Sequence, residues 1–294
     1  MTTNNALRAL VERGESLAAL GWPIVDAHAH LGPTGTFHIP TPDAASMVAM
    51  MDRLGIGITC ISSHLAICSD FALGNDLTAA AVRAHPTRLC GYVVPNPHHP
   101  EQVIPELERG LNELGLRAIK LHSTLQDFAV DDPMCAPIWQ YANERALVVL
   151  SHTWEKDPRC RPALFGPLAE QYPHVAFILG HSGGTRAGRP EAIAVAQAHA
   201  NIYLDLVSSL IHSDEVEWMV GAVGAERVIW RYDPIVFSQP TGAQFHIDKY
   251  REIAQALEGY TTRSVISVVD VYDKAKKRLR ELKEQGIEIV EYDG

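Results

Sequence analysis

An apolar run near the start of the chain ends in two alternating histidines, Trp22-Pro23-Ile24-Val25-Asp26-Ala27-His28-Ala29-His30. Because alternate residues of a β-strand point to the same face, we expect His28 and His30 to face the same way, about 6–7 Å apart along the strand. Two neutral imidazoles at the carboxyl end of a strand form half of a divalent-metal site. The other ligands should be histidines or carboxylates at the ends of later strands.

Short apolar segments then alternate with amphipathic helices. The eight predicted strands are 24–30, 57–63, 90–95, 117–122, 147–152, 175–181, 202–207 and 228–233. This alternation predicts an α/β fold, a (β/α)8 TIM barrel with its site at the C-terminal ends of the strands. A doubly wound open sheet is the alternative. No Gly-x-Gly-x-x-Gly follows the first strand, which argues against a dinucleotide site.

The pattern is less regular at both ends of the chain. Residues 5–20 predict an N-terminal helix that precedes the barrel. We predict a metal-dependent barrel domain over 1–260 and an atypical C-terminal helix/strand extension over 261–294, packed on the barrel. Within the extension, residues 264–272 resemble a strand and residues 273–285 a highly charged helix. The sequence gives this extension no role.

Composition excludes several classes of protein. The 294 residues are 47% hydrophobic, which is ordinary for a globular protein. The net charge of −10 argues against nucleic-acid partners. Five scattered cysteines indicate reduced thiols, and no signal pattern or apolar run of about 20 residues appears. We therefore expect a cytoplasmic protein with a small-molecule substrate and no membrane or nucleic-acid partner; a homo-oligomer stays open.

Chemically active side chains recur where the later strands end. The strand-end residues are Lys120, His152, His181, Asp205 and Asp233. One histidine in such a place is most simply structural. Four histidines and an aspartate at successive strand ends of one barrel are hard to explain by packing, so they indicate a metal site.

These motifs resemble the amidohydrolase superfamily, and more closely its amidohydrolase-2 branch of TIM-barrel, metal-dependent hydrolases and decarboxylases. The segments GYVVPNP, ELERGLNELGLRAIKLHS, PIWQYANERALVVLSHTW and FILGHSGG match that branch in order, within about residues 22–233. The resemblance implies one divalent metal, with zinc preferred, and His181 as a second-metal ligand or a substrate-polarising group. It also implies a set of residues that bind or face the metal: His28, His30, His152 and Asp233.

General chemistry agrees with these roles. A metal lowers the pKa of bound water toward about 7. Asp233 can orient that water, take its proton and return it to the leaving group, so it is also a catalytic candidate. His181 can donate to a developing oxyanion. A capping role for Asp233 is the alternative, since Pro234 follows it.

Four residues are candidates for substrate binding: Lys120, His122, Arg186 and Trp154. Some relatives carbamylate a lysine on strand four to bridge two metals, whereas others use it to bind a substrate carboxylate or in a structural ion pair. His122 can contact substrate or support the site from behind. Arg186 can pair with a carboxylate or lie in solvent. His38, His64 and Arg231 are further loop or strand-end candidates.

One segment departs from the family pattern. Strand eight usually ends in Gly-(Ser/Thr)-Asp, but here it ends in Arg231-Tyr232-Asp233. A cation beside Asp233 can lower the basicity of that carboxylate or crowd the metal pocket.

The sequence as a whole predicts a metal-dependent hydrolase that uses metal-activated water to cleave an amide, ester or lactone-type bond of a small molecule. A non-oxidative, metal-dependent decarboxylase of a small carboxylic acid is the first alternative. A catalytically weakened barrel that acts as a binding protein is the second, because of the changed end of strand eight.

Overall fold

The computed structural model describes residues 25–35, 39, 41–54, 56–205, 213–224, 227–235, 248 and 264–268. For the strands at 228–235 and 264–268 it describes the backbone and not the side chains. The helices predicted at 5–20 and 273–285 lie outside the described residues.

In the described ranges, nine strands form one sheet in chain order, and every neighbouring pair is parallel. The strands are β1 (Val25–Leu31), β2 (Ile58–Ser63), β3 (Leu89–Val93), β4 (Ala118–Leu121), β5 (Val148–His152), β6 (Ala176–Gly180), β7 (Ile202–Asp205), β8 (Val228–Ile235) and β9 (Ser264–Val268). The eight strands predicted for the barrel are all present, and the α/β fold of TIM-barrel type is confirmed.

The ninth strand is the main difference from a simple eight-stranded barrel. In such a barrel β8 pairs with β1, whereas here β9 pairs with β8 in parallel, from Trp230 opposite Ser264 to Ile235 opposite Val268. Cα atoms of β9 also come within 8 Å of β1, so the sheet curls until its last strand approaches its first. The strand expected near 264–272 is therefore part of the barrel sheet. The domain boundary at 260 stays a prediction.

Helices connect the strands and cover the outside of the sheet. They are α1 (Ala44–Leu54), α2 (His64–Cys68), α3 (Phe71–Ala84), α4 (Pro100–Glu108), α5 (Ser123–Gln126), α6 (Ala136–Glu144), α7 (Phe165–Gln171), α8 (Arg189–Ala198) and α9 (Ser213–Val223). Side-chain caps fix some helix starts: Ser63 caps α2 and Asp70 caps α3.

The main core lies between the outer face of the sheet and these helices. Apolar residues at alternate positions of β3 to β7 pack outward against Trp139 of α6 and Phe165 of α7. Eight of these strand residues are fully buried: Val93, Ile119, Leu121, Val149, Phe177, Leu179, Ile202 and Leu204. Because the outward positions supply the core, the alternate, inward positions are free to carry polar side chains.

Parallel strands place all their carboxyl ends on one rim of the sheet. Polar residues at the ends of β1, β4, β5 and β6 are therefore neighbours in space although they are far apart in sequence. Within the described ranges, no helix is both long and apolar enough to cross a membrane.

Candidate active site

His28 lies on β1, buried at 3% exposure, between partners from two distant strands. Its Nδ1 is 2.7 Å from Oδ2 of Asp205 at the end of β7, and its Nε2 is 2.8 Å from Nζ of Lys120 on β4. A carboxylate can only accept, so Nδ1 donates its proton to Asp205 and Nε2 keeps its lone pair. Asp205 thereby fixes the tautomer in which Nε2 can bind a proton donor or a cation.

Lys120 is fully buried beside this lone pair. Burial lowers the pKa of its ammonium from 10.5 to about 7, and the negative charge of Asp205 only partly opposes this shift. Near neutral pH the amine therefore exchanges between its charged and neutral forms. In the charged form it is a buried cation that donates to His28.

His30 and His64 extend the cluster beyond His28. The ring centroids of His28 and His30 are 5.2 Å apart, and those of His30 and His64 are 4.9 Å apart. His30 Nδ1 is 3.0 Å from Oγ of Ser62, and His64 Nδ1 donates to the carbonyl oxygen of Gly32 at 2.8 Å. Burial lowers the pKa of both His30 and His64, so both rings are neutral at pH 7.

A stack of three flat side chains forms one wall of the site. The rings of His122 and His152 lie 4.1 Å apart and 10° from parallel, and the ring of Trp154 follows 6.0 Å from His152 at 3°. Burial is the largest cause that lowers the pKa of His122 to about 2 and the pKa of His152 far below its usual value. Nδ1 of His152 is buried without a hydrogen-bond partner among the described residues.

The loop after β6 has an unusual backbone. Its first four residues all have positive φ angles: His181 (63°), Ser182 (44°), Gly183 (83°) and Gly184 (85°). The two glycines adopt this conformation at little cost, whereas His181 and Ser182 are strained in it. Strain of this kind persists only where surrounding contacts hold the loop in place.

This loop brings His181 to the centre of the cluster. Its ring centroid is 5.0 Å from that of His28 and 4.9 Å from that of His152. A Cβ at Gly184 would lie 2.4 Å from the Trp154 ring, so glycine lets the loop pack directly on that indole. The result is a continuous group of imidazoles from five parts of the chain: His28, His30, His64, His122, His152 and His181.

The donor set can be tested against a divalent metal. Within the part of the chain that the structure describes, no three His, Cys, Asp or Glu side chains are placed to hold one metal ion, and Lys120 is at the lone pair of His28. The chemistry nevertheless fits: His30 and His152 are neutral imidazoles, and Nδ1 of His152 is buried with no hydrogen-bond partner among the residues that the structure describes. The residues present therefore fit a divalent cation that displaces Lys120 from His28.

The structure brings most of the predicted site residues together. The residues of this cluster are His28, His30, Lys120, His122, His152, Trp154 and His181. Arg186 is different: its side chain is 60% exposed and lies 3.4 Å from Glu215. Asp233 and Arg231 lie on β8, whose side chains the structure does not describe. His38 lies wholly outside the described residues.

Two features were not assigned a role from the sequence. Asp205 was visible as a carboxylate at a strand end, but its contact with His28 joins residues 177 positions apart. Asp26 supports the same histidine, because its Oδ1 accepts from the backbone N–H of His28 at 3.1 Å. The second unassigned feature is the buried pair Arg189 and Glu215 behind the His181 loop.

Comparison with known proteins agrees with this architecture. The sequence profile of the Amidohydrolase family matches residues 25–230, well over half of the chain. The chain belongs to the Amidohydrolase family.

Several individual proteins are similar to this amidohydrolase. The 2-amino-3-carboxymuconate-6-semialdehyde decarboxylase of Dictyostelium discoideum is 26% identical over 190 residues, which cover 52% of this chain and 53% of the relative. The amidohydrolase thus spans about half the length of the curated relative that it matches.

Two solved structures show the same fold at low identity. The 5-carboxyvanillate decarboxylase of Sphingomonas paucimobilis has a TM-score of 0.54 at 14% identity and covers 81% of this chain and 98% of its own. A dihydroxybenzoic acid decarboxylase of Polaromonas, solved with bound manganese and 2-nitroresorcinol, has a TM-score of 0.56 at 17% identity, covering 77% of this chain and 89% of its own.

A second profile overlaps the end of the first. A domain of unknown function, DUF1848, matches residues 201–293. The amidohydrolase match ends at residue 230, just before Arg231-Tyr232-Asp233, where the sequence departs from the family pattern. Asp233 therefore lies outside the residues that the Amidohydrolase profile matches.

Proposed function

We propose that this amidohydrolase is a metal-dependent, non-oxidative decarboxylase of a small carboxylic acid. The sequence alone predicts hydrolysis, with decarboxylation as the first alternative. The relatives with a named activity that are described above are decarboxylases, which supports the alternative better.

The observation that carries the proposal is the buried Lys120 among neutral imidazoles. A buried cation without a neutralising partner is costly, so an anion that enters this cluster gains strongly from meeting it. Asp205 supplies one negative charge nearby, but its Oδ2 is already bound to His28. A substrate carboxylate would pair with the ammonium and raise the pKa of Lys120 from about 7, which holds it in the charged form.

A divalent cation, zinc or manganese, would be held by His28, His30 and His152, with Asp233 as the fourth candidate. When bound, it supplies a Lewis acid that polarises an oxygen of the substrate. Asp205 would orient His28 for this role through the 2.7 Å hydrogen bond. The pKa values of His30 and His152 lie far enough below neutral that protons do not compete for their lone pairs.

Decarboxylation breaks one carbon–carbon bond and leaves the electron pair on the substrate carbon, which must take a proton. His181 is the candidate donor, because its ring lies at the centre of the cluster, 5.0 Å from His28. The flat wall of His122, His152 and Trp154 can orient a planar, conjugated acid so that this carbon faces His181.

Product analysis of purified protein reconstituted with Zn²⁺ or Mn²⁺ tests the proposal. The probes are 5-carboxyvanillate, 2,6-dihydroxybenzoate and a matched set of esters and lactones. We expect release of carbon dioxide from an acid and no release of acid from the esters. Acid release without carbon dioxide would restore hydrolysis as the function.

Two variants distinguish catalysis from contamination. His181→Asn should lower kcat at least 100-fold, because the amide cannot transfer a proton. Lys156→Met serves as the control, since Lys156 is exposed and lies outside the cluster. A protein that binds neither metal nor substrate would support the weakened barrel instead.

A further inference from the structure

We propose that Arg189 and Glu215 are positioning residues for His181: together they hold the left-handed loop that points its imidazole into the cluster. The inference rests on the catalytic role proposed above for His181. It assigns a function to a buried ion pair that touches neither the imidazole rings nor Lys120.

The guanidinium of Arg189 binds the backbone of the loop at three points. Nη1 donates to the carbonyl oxygen of His181 at 2.6 Å and to that of Ser182 at 2.7 Å, and Nη2 donates to that of Gly184 at 3.2 Å. The planar guanidinium suits this task, because its N–H donors point in fixed directions from two separate nitrogens and so hold the three carbonyls in one arrangement.

Glu215 neutralises this cation inside the protein. Nε of Arg189 lies 3.2 Å from Oε2 of Glu215, and both side chains are 0% exposed. A guanidinium stays charged at any physiological pH, so its burial requires a carboxylate partner. Glu215 lies on α9 and Arg189 is the first residue of α8. Their ion pair therefore fixes the position of the guanidinium N–H donors of Arg189.

The loop needs such a clamp because of its backbone. His181 and Ser182 have φ angles of 63° and 44°, which non-glycine residues adopt only when contacts impose them. If the donors of Arg189 are lost, relaxation of these two angles rotates the imidazole of His181 away from His28 and His152.

Other contacts keep the loop near the sheet without Arg189. The backbone N–H of Gly183 donates to Oγ1 of Thr153 at 2.8 Å, and Oγ of Ser182 donates to the carbonyl oxygen of Asp205 at 2.7 Å. A conservative change at Arg189 should therefore leave the barrel folded but loosen the direction of the His181 ring.

The test uses the full-length, metal-free protein labelled with ¹³C,¹⁵N-histidine. The ring signals of His181 are assigned by their loss in His181→Asn. In Arg189→Lys we expect these signals to broaden or double, and the nuclear Overhauser contact to the Trp154 indole, 6.3 Å away between centroids, to weaken at least twofold. The ring of His98, which binds the Gln126 carbonyl, should not change.

Arg161→Lys is the matched control. Arg161 pairs with Glu191, which lies on α8 as Arg189 does, but the Arg161 side chain is 52% exposed and does not contact the loop. In the reconstituted enzyme, Arg189→Lys should lower kcat at least tenfold and change KM by less than threefold, whereas Arg161→Lys should change neither. A role limited to stability would not separate kcat from KM in this way.

Unchanged His181 signals in a folded Arg189→Lys protein would overturn the inference. If that variant does not fold, Glu215→Gln replaces it: altered His181 signals support the inference and unaltered ones overturn it. The spectra need neither metal nor substrate, so they decide the positioning role even if the decarboxylase proposal fails.

Discussion

The imidazole of His28 and the carboxylate of Asp205 form a 2.7 Å hydrogen bond between β1 and β7, with both side chains almost completely buried. The bond commits Nδ1 of His28 to donation and turns the lone pair of Nε2 toward Lys120. The carboxylate of Asp205 thus determines that Nε2 of His28 is the ring nitrogen that can bind a metal.

We therefore expect Asp205→Asn to weaken metal binding. The amide is a poorer acceptor and allows the other tautomer of His28, so the affinity for Zn²⁺ should fall about 10- to 100-fold. Competition with a chelating dye measures the change. Asp131→Asn, at an exposed residue, is the control. Equal affinities in the two variants would show that the hydrogen bond from His28 to Asp205 does not support metal binding.

Lys120 and a metal cannot share the lone pair of His28, which gives a second prediction. Lys120→Met should raise the affinity for Zn²⁺ at least tenfold at pH 6, where Lys120 is charged, and less at pH 8. Lys156→Met should have no effect. Loss of the metal in Lys120→Met would mean instead that Lys120 is a ligand through its carbamate, the bridging role that the sequence left open.

The sequence could predict those parts of the fold and the site that depend on the local pattern of apolar and polar residues. Apolar alternation located β1 to β8, and parallel strands necessarily bring His28, Lys120 and His152 to one rim. It could not reveal the bond from His28 to Asp205, because the curl of the whole sheet decides which strand ends meet. The role of Arg189 could not be predicted either, because the sequence places it at the start of a helix and does not show that its side chain is buried.

The pairing of β9 with β8 could not be predicted, because it too depends on how distant segments meet in the folded sheet. A strand pattern at 264–272 is visible in the residues, but its neighbour depends on how the barrel closes.

The lowered pKa of Lys120 predicts how stability depends on pH. Its pKa is about 7 in the folded protein and 10.5 when unfolded, so the unfolded chain binds more protons between these values. Stability of the metal-free protein should therefore rise with pH from about 7 to 10, by at most about 1.4 kcal/mol per pH unit from this group. Urea unfolding at pH 7, 8 and 9 should give a steeper rise for wild type than for Lys120→Met. Parallel curves would show that Lys120 keeps an ordinary pKa.

The packing of Gly184 on Trp154 gives the last prediction, for which Gly115 is a matched control. Both glycines have positive φ angles, 85° and 76°, but a Cβ at Gly184 meets the Trp154 ring at 2.4 Å whereas a Cβ at Gly115 has no atom within 4 Å. Gly115→Ala should cost only the backbone strain, about 1–2 kcal/mol. Gly184→Ala has at least this strain, because the ψ of −69° at Gly184 lies outside the left-handed helical region. It must also displace the indole, which adds roughly 1–3 kcal/mol of overpacking.

Urea midpoints of the two variants measure this difference, and near-UV circular dichroism should change only in Gly184→Ala, as Trp154 moves away from His152 and His181. A Trp154→Phe background should reduce the extra cost at Gly184, because the smaller ring leaves room for the methyl group. Equal destabilisation of the two alanine variants would mean that the loop moves away from Trp154 at no cost, and that this contact does not fix the wall of the site.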